Sequence, residues 1–258
     1  MSDSLEPITP AEAKQMYLEA RKNEVSESTL SGYHYRLKHF IRWCESVEGI
    51  DNMNDLTGRK LQQFKTWRVN DGDLKPITID GQLDALRLFI RWCESINAVQ
   101  PDLHKKLSVL MPTLEKTDTQ SSSILESDEA KALIEYQRRF EFASRSHVII
   151  EILWHTGIRL GALHTLDTDD YDSKNERLEI KHRPDTDTPL KNGSEGERLV
   201  SLNADICQVI DGWLKHHRHD VTDKHGRDPL LTSRNGRMNR STIRDAVYRA
   251  TQPCYYSN

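Results

Sequence analysis

The sequence predicts a mainly α protein of two domains: a four-helix N-terminal domain, and a mainly helical C-terminal domain carrying a small antiparallel sheet. Three observations predict it. Through the first hundred residues the apolar positions recur at the three- and four-residue spacing of helices packed on one side. From Pro101 to Ser123 that pattern weakens and the chain runs into "TDTQSSS", which places a linker at residues 108–123 between domains at 7–107 and 124–258. Beyond the linker, two apolar helices precede the segments "ERLEIKHR" and "ERLVSL", whose residues alternate as strands do.

In the first domain, "TPAEAKQMYLEARKN" opens with Thr9 as a capping residue and Pro10 at the first helical position. "SESTLSGYHYRLKHFIRWCESVEGI" aligns Leu30, Tyr33, Leu37, Phe40, Ile41 and Cys44 on one face, with Gly49 where a C-terminal cap belongs. "LTGRKLQQFKTWRVNDG" offers Thr57 as cap and Leu61, Phe64 and Trp67 as a buried stripe. The fourth helix, "KPITIDGQLDALRLFIRWCESINAV", buries Ile79, Leu83, Leu86, Phe89, Ile90 and Cys93. The heptapeptide FIRWCES thus ends both the second and fourth helices, at Phe40–Ser46 and Phe89–Ser95. Phe and Cys four apart share a face, so the repeat reads as two helices packing alike, with cysteine as a small apolar residue. Two cysteines without CxxC spacing make no zinc site, and the sequence implies no metal or cofactor. The outer faces are basic at Arg36, Lys38, His39 and Arg42, at Arg59, Lys60, Lys65 and Arg68, and at Arg87 and Arg91. Such runs are ordinarily solvated faces, but two facing one way would line a groove for phosphates.

In the second domain, "LESDEAKALIEYQRRF" is a helix from Ser127 with acidic residues in its first turn, and "SRSHVIIEILWHTG" an apolar helix closed by Gly157. The joint "HTGIRLGALHTLDTDDYD" then sets Arg159 just past a glycine turn, at the start of a helix anchored by Leu163 and Leu166. There its planar fork can hold two phosphate oxygens. Leu178 and Ile180 share one strand face, with Leu199 on the partner strand and Asn192-Gly193 as the turn between them. "NADICQVIDGWLKHHRHD" is a helix with Ile206, Val209, Ile210, Trp213 and Leu214 inward. His216 and His217, being adjacent, point apart and form no ligand pair. "PLLTSRNGRMNRSTIRDAVYRAT" leads into a last helix rich in arginine: Arg234, Arg237, Arg240, Arg244 and Arg249.

These strings resemble the tyrosine recombinases of the phage-integrase family, in particular archaeal-type site-specific integrases. Ser26 to Phe40 resembles the family's opening "S-x-S/T-x-x-x-Y-x-x-x-L-x-x-F". Thr156-Gly157-Ile158-Arg159, Gly161, Leu163, Leu166 and Asp169 resemble its first catalytic box, with Ala162 where the family commonly has Glu. The resemblance implies a SAM-like core-binding domain followed by a catalytic domain with a three-stranded sheet. It implies that Arg159 holds the scissile phosphate, and that Lys191 in the hairpin donates a proton to the leaving 5′ oxygen, with Lys181 as the second candidate. It implies double-stranded DNA as partner and a tetramer on paired sites. The DNA contacts it implies are Ser28, Thr29, Tyr33, Arg36, Arg59, Lys60 and Arg87 in the first domain. In the second they are Arg234, Arg237, Arg240, Arg244, Ser241 and Thr242, the last two suited to phosphate at a helix start.

The family also needs an "H-x-x-R" box, a further His or Trp and a tyrosine nucleophile, since one arginine cannot neutralise a pentavalent transition state. Nothing after Thr251 supplies them; "QPCYYSN" holds Tyr255 and Tyr256 with no HxxR before them, and Pro253-Cys254 resembles the start of an insertion broken off. The expectation is therefore a catalytic domain incomplete at its C-terminus, from a truncated gene or a fragment, that binds DNA without recombining it. The alternatives are a non-catalytic regulator occupying recombination sites and a helical protein-interaction scaffold. The net charge of −4 points away from nucleic acid only weakly, because 36 Lys and Arg can still form local patches. With no run of apolar residues long enough to span a bilayer, no secretory signal and four scattered cysteines, the reading is a cytoplasmic protein with reduced thiols and no membrane partner.

Overall fold

Local rules written in the sequence place most of the helices. The computed structural model describes residues 4–115, 118 and 125–252, which fall in two compact units, Met1–Ser123 and Ile124–Asn258. In the first, α1 (Pro10–Arg21) begins with a capping box: Thr9 Oγ1 accepts from the Glu12 amide at 3.2 Å, and the Glu12 carboxylate accepts from the Thr9 amide at 3.2 Å. Ser26 caps α2 (Glu27–Trp43) and Thr57 caps α3 (Gly58–Gly72), while Pro76 occupies the first position of α4 (Pro76–Ser95).

The repeated heptapeptide does one packing job with two different endings. Phe40 stands edge-on to Phe64 at 5.4 Å and to Phe89 at 6.3 Å, so the two copies meet in one aromatic core. Cys44 and Cys93 are both fully buried there, and burial pushes the Cys44 thiol up to about 12. In the first copy the helix widens into a π turn over Cys44–Glu48, closed by Gly49 at φ 68°; in the second it stays α through Ser95. Trp43 is buried, whereas Trp92 is half-buried against Tyr17 at 5.6 Å.

Two features depart from the sequence reading. The unit has a fifth helix, α5 (Leu103–Leu110), which seats Leu103 and Leu107 in the same core and ties the His104 amide and Nδ1 to the Glu94 carboxylate, each at 2.7 Å. One buried pair four residues apart is too short a signal to stand out as a period. Arg68, read as part of a basic outer face, is only 6% exposed: its Nε donates to Gln82 Oε1 at 2.8 Å and its Nη1 lies 3.1 Å from Asp71.

The second unit is built around α7 (Arg145–Thr156), which is buried from His147 to Ile152 and follows α6 (Ser127–Phe140). After it come the short α8 (Leu160–Thr165), an antiparallel sheet in the order β1 (Tyr171–Asp172), β2 (Arg177–Ile180), β3 (Arg198–Ser201), and α9 (Ala204–His216). A small hairpin of β4 (Thr232–Ser233) and β5 (Gly236–Arg237) leads to α10 (Arg240–Ala250). Leu178 and Ile180 face the core as expected, but register pairs Leu178 with Val200, and Leu199 points outward at 58% exposure. No helix among the described residues is long and apolar enough to cross a membrane.

Candidate nucleic-acid interface

Gly157 makes the site possible. It takes φ 60°, its amide donates to Leu153 O at 3.0 Å, and this left-handed cap turns the chain sharply off the end of α7. Ile158 is then buried and Arg159 becomes the N-cap residue of α8, its carbonyl accepting from the Ala162 and Leu163 amides at 2.8 and 3.1 Å. Ala162, Leu163 and Leu166 fasten α8 into the core. The Arg159 side chain is left exposed, with no ion pair or hydrogen bond to any described residue.

Two further elements converge on α8. Arg240, the first residue of α10, donates from Nη2 to Pro189 O at 3.4 Å, and its Cζ lies 4.0 Å from where a side chain on Gly161 would begin. It therefore bridges the helix behind Arg159 to the β2–β3 connection that carries Lys191. Lys191 is exposed with no partner among the described residues, whereas Lys181 is held by Asp170 at 3.3 Å and Glu179 at 2.8 Å. Around His164, burial first and then the charges of Arg240, Arg237 and Arg227 pull the imidazole down to about 4, so it is neutral at pH 7.

The remaining arginines of this segment divide. Arg244 and Arg234 are exposed, and Arg234 flanks a shallow groove with Asp220, Thr222 and Asn235. Arg237, expected to face DNA, turns inward: it pairs with Asp167 and with Asp223 at 2.8 Å, and donates to His164 O and Leu166 O at 3.0 and 3.2 Å. The Ser241 and Thr242 hydroxyls both donate to the capping Asn239 Oδ1, at 2.7 and 2.8 Å. In the box itself Asp170 is buried and Asp169 is not; two bonds from Arg183, at 2.9 and 2.6 Å, hold Asp170.

In the first unit, the Ser28 and Thr29 hydroxyls share hydrogen bonds with Ser26 at 3.0 and 2.9 Å in the exposed first turn of α2. Tyr33 is half-buried, 5.8 Å from the Tyr17 ring, and Arg36 lies 3.9 Å from where a side chain on Gly81 of α4 would begin. Arg59 is exposed and Lys60 half-buried at the start of α3, while Arg87 is paired with Asp84 at 2.6 Å. Sequence reasoning missed a cluster that joins two helices: Lys14 of α1 with His34 and Lys38 of α2. The pKa of His34 is lowered by Lys14 first and then by burial and Lys38, and burial and Lys38 lower that of Lys14. Lys14 stands 20 positions from His34 and 24 from Lys38, a separation that carries no common signal. Tyr255 and Tyr256, with Pro253 and Cys254, lie outside the described residues. Among the described residues no group of three or more His, Cys, Asp or Glu could hold a metal ion.

Comparison with known proteins agrees with this architecture. The sequence pattern of the phage integrase family matches residues 123–253, and that of the phage integrase N-terminal SAM-like domain matches residues 13–98. The chain belongs to the phage integrase family, the tyrosine recombinases. It is 29% identical to the tyrosine recombinase XerC of Bacillus pumilus (strain SAFR-032) over 77% of its own length and 61% of that protein's, so it spans about three-fifths of this relative. Its fold is similar to that of the Tn1549 transposon integrase solved with transposon right end DNA: TM-score 0.74, 15% identity, 97% of this chain and 79% of that one. It is also similar to a lambda integrase tetramer solved on a Holliday junction: TM-score 0.63, 15% identity, 95% of this chain and 66% of that one.

Proposed function

We propose that this chain grips duplex DNA as part of a site-specific recombinase or integrase. The observation that carries the reading is the unpaired, exposed guanidinium of Arg159 on a helix packed into the core, with the Lys191 connection and the start of α10 drawn to the same helix by Arg240. In this reading Arg159 holds the scissile phosphate bidentately and Lys191 protonates the leaving 5′ oxygen. Lys191 suits the second task better than Lys181, whose ammonium is already committed to two carboxylates. Arg234, Arg240, Arg244, Ser241 and Thr242 contact flanking phosphates in the second unit. Ser28, Thr29, Tyr33, Arg36, Arg59, Lys60 and Arg87 do so in the first. Arg237 is not among them, because its donors are used inside the protein. By analogy with the lambda integrase tetramer on its junction, several protomers act on paired sites. We read the protein as cytoplasmic, a reading compatible with a DNA partner and with the lack, among the described residues, of a helix able to cross a membrane.

Titration of a duplex oligonucleotide at several salt concentrations tests this. The expected result is binding that weakens steeply with salt, by about 0.9 in logarithmic slope per phosphate contact. Arg159→Ala and Lys191→Ala should each weaken binding and flatten that slope by about one contact. An unchanged curve removes the residue from the site. A denaturing gel of the same mixtures distinguishes a second reading, a regulator that occupies recombination sites. Binding without a covalent product supports that second reading. A phosphotyrosyl adduct would instead identify a complete recombinase.

A further inference from the structure

A six-residue helix and a long strand-to-strand connection are poor platforms for two groups that must meet one phosphate. α8 (Leu160–Thr165) carries Arg159 at its N-terminal end, and its last two carbonyls, His164 O and Thr165 O, accept from arginine side chains rather than from the backbone. The β2–β3 connection, residues 181–197, reaches Lys191 through Thr186, Thr188 and Pro189. Besides Arg240, which reaches only Pro189 O on the connection, a second side chain ties the two together by several bonds. Arg227, in the loop before β4, donates from Nε to Asp167 Oδ2 at 2.7 Å and from Nη2 to Thr165 O at 3.2 Å, with Nη2 also 2.6 Å from the same carboxylate oxygen as an ion pair. Its Nη1 donates to Thr186 Oγ1 at 2.5 Å and Thr188 Oγ1 at 2.8 Å. The directions are consistent: both threonine hydroxyls accept from Arg227 and donate to Arg183 O, at 3.5 and 3.3 Å. Thr165 and Thr188 are fully buried and Asp167 nearly so, so the junction is shielded from competing water.

We propose that Arg227 is a positioning residue that locks the Arg159 helix to the Lys191 connection, so that both cations meet a single DNA phosphodiester. This rests on the phosphate reading of Arg159 and Lys191 given above. Arg227 touches no substrate itself. It uses all three nitrogens of a planar fork, aimed at two separate elements, and the compact ammonium of lysine cannot reproduce that geometry although it keeps the charge. Arg237 reinforces the helix side alone, through His164 O and Leu166 O.

The test uses the full chain and two readouts. In amide hydrogen exchange, Arg227→Lys should speed exchange together at the α8 amides and at Thr186, Thr188 and Leu190, whose amides are now bonded to Arg183 O and His182 Nδ1. In duplex titration, Arg227→Lys should weaken binding by about three- to tenfold despite its retained charge. In that background Arg159→Ala and Lys191→Ala should each cost less than about twofold more, the non-additivity expected of coupled residues. Should Arg227→Lys fail to fold, the double variant T186V/T188V keeps the Asp167 pair and removes the tie to the connection, together with the two long hydroxyl bonds to Arg183 O. It should abolish the Lys191 effect and spare that of Arg159. Wild-type exchange in Arg227→Lys, or full additivity with Arg159→Ala and Lys191→Ala, overturns the proposal alone. If Arg159→Ala and Lys191→Ala leave binding unchanged in the otherwise native protein, the phosphate reading falls and takes the proposal with it.

Discussion

At the scale of single residues, the most consequential side chain away from the interface is Glu151, fully buried on α7. Ala143 N donates to His147 Nδ1 at 3.0 Å, which leaves the proton on His147 Nε2, 3.2 Å from Glu151 Oε1. Arg138 Nε donates to the same oxygen at 2.6 Å, and His155 Nε2 lies 2.9 Å from Oε2. Burial pushes the carboxyl up, but the hydrogen bonds from His147 and Arg138 and the Arg138 charge outweigh it and hold it at about 2. A carboxyl held below its unfolded value of 4.5 contributes its stability fully above that value and loses it as pH falls towards 2. Glu151→Gln should therefore cost about 2–3 kcal/mol near neutral pH by urea unfolding. The difference from the native protein should shrink steadily between the two values. A difference that stays constant over that window would show that the carboxylate is not held down.

At the scale of elements, the α7–α8 joint shows how a conformation, rather than a contact, aims a functional group. A side chain added at Gly157 would meet nothing within 4 Å, so its cost is the left-handed backbone alone. Gly157→Ala should destabilise by about 1 kcal/mol while leaving the fold intact, measured as a shift in urea midpoint with an unchanged slope. The joint was readable in sequence because a glycine after a helical period, followed by Arg and an apolar pair, is a local code. The fate of FIRWCES was readable for the same reason: Phe and Cys four apart must share a face. The inward strand position was not. Leu199 and Val200 are both apolar, and only the pairing of Leu178 with Val200 decides which of them reaches the core.

At the scale of the whole molecule, each unit closes its own core, the first around Phe40, Phe64 and Phe89 and the second around Ile149, Leu178 and Trp213. Each carries buried free thiols that report on it: Cys44 and Cys93 in the first, Cys207 in the second, with burial raising the pKa of all three. In a brief alkylation read by mass spectrometry these three should stay unmodified in the native protein, and on prolonged exposure Cys44 and Cys93 should be modified slowly at one common rate, set by opening of their unit. Unequal rates for those two would mean that the paired helix ends open separately.

The sequence by itself determined the class of fold, the caps of most helices, the glycine turn and the position of Arg159, because each is encoded within about one helical turn of chain. It also carried the family's spacing, which brought Lys191 into view. Tertiary structure alone decided which cations are available. Arg68 and Arg237 sit in polar strings that read as solvent-facing, yet both are consumed inside the protein by Asp71 and Gln82 and by Asp167 and Asp223. Arg227 gave no signal at all, since Asp167 and Thr188 stand 60 and 39 positions away. A guanidinium has the same chemistry in water and in a buried junction. What separates a DNA contact from a structural tie is whether distant carboxylates and carbonyls have already taken its donors, and only the folded chain brings those acceptors within reach.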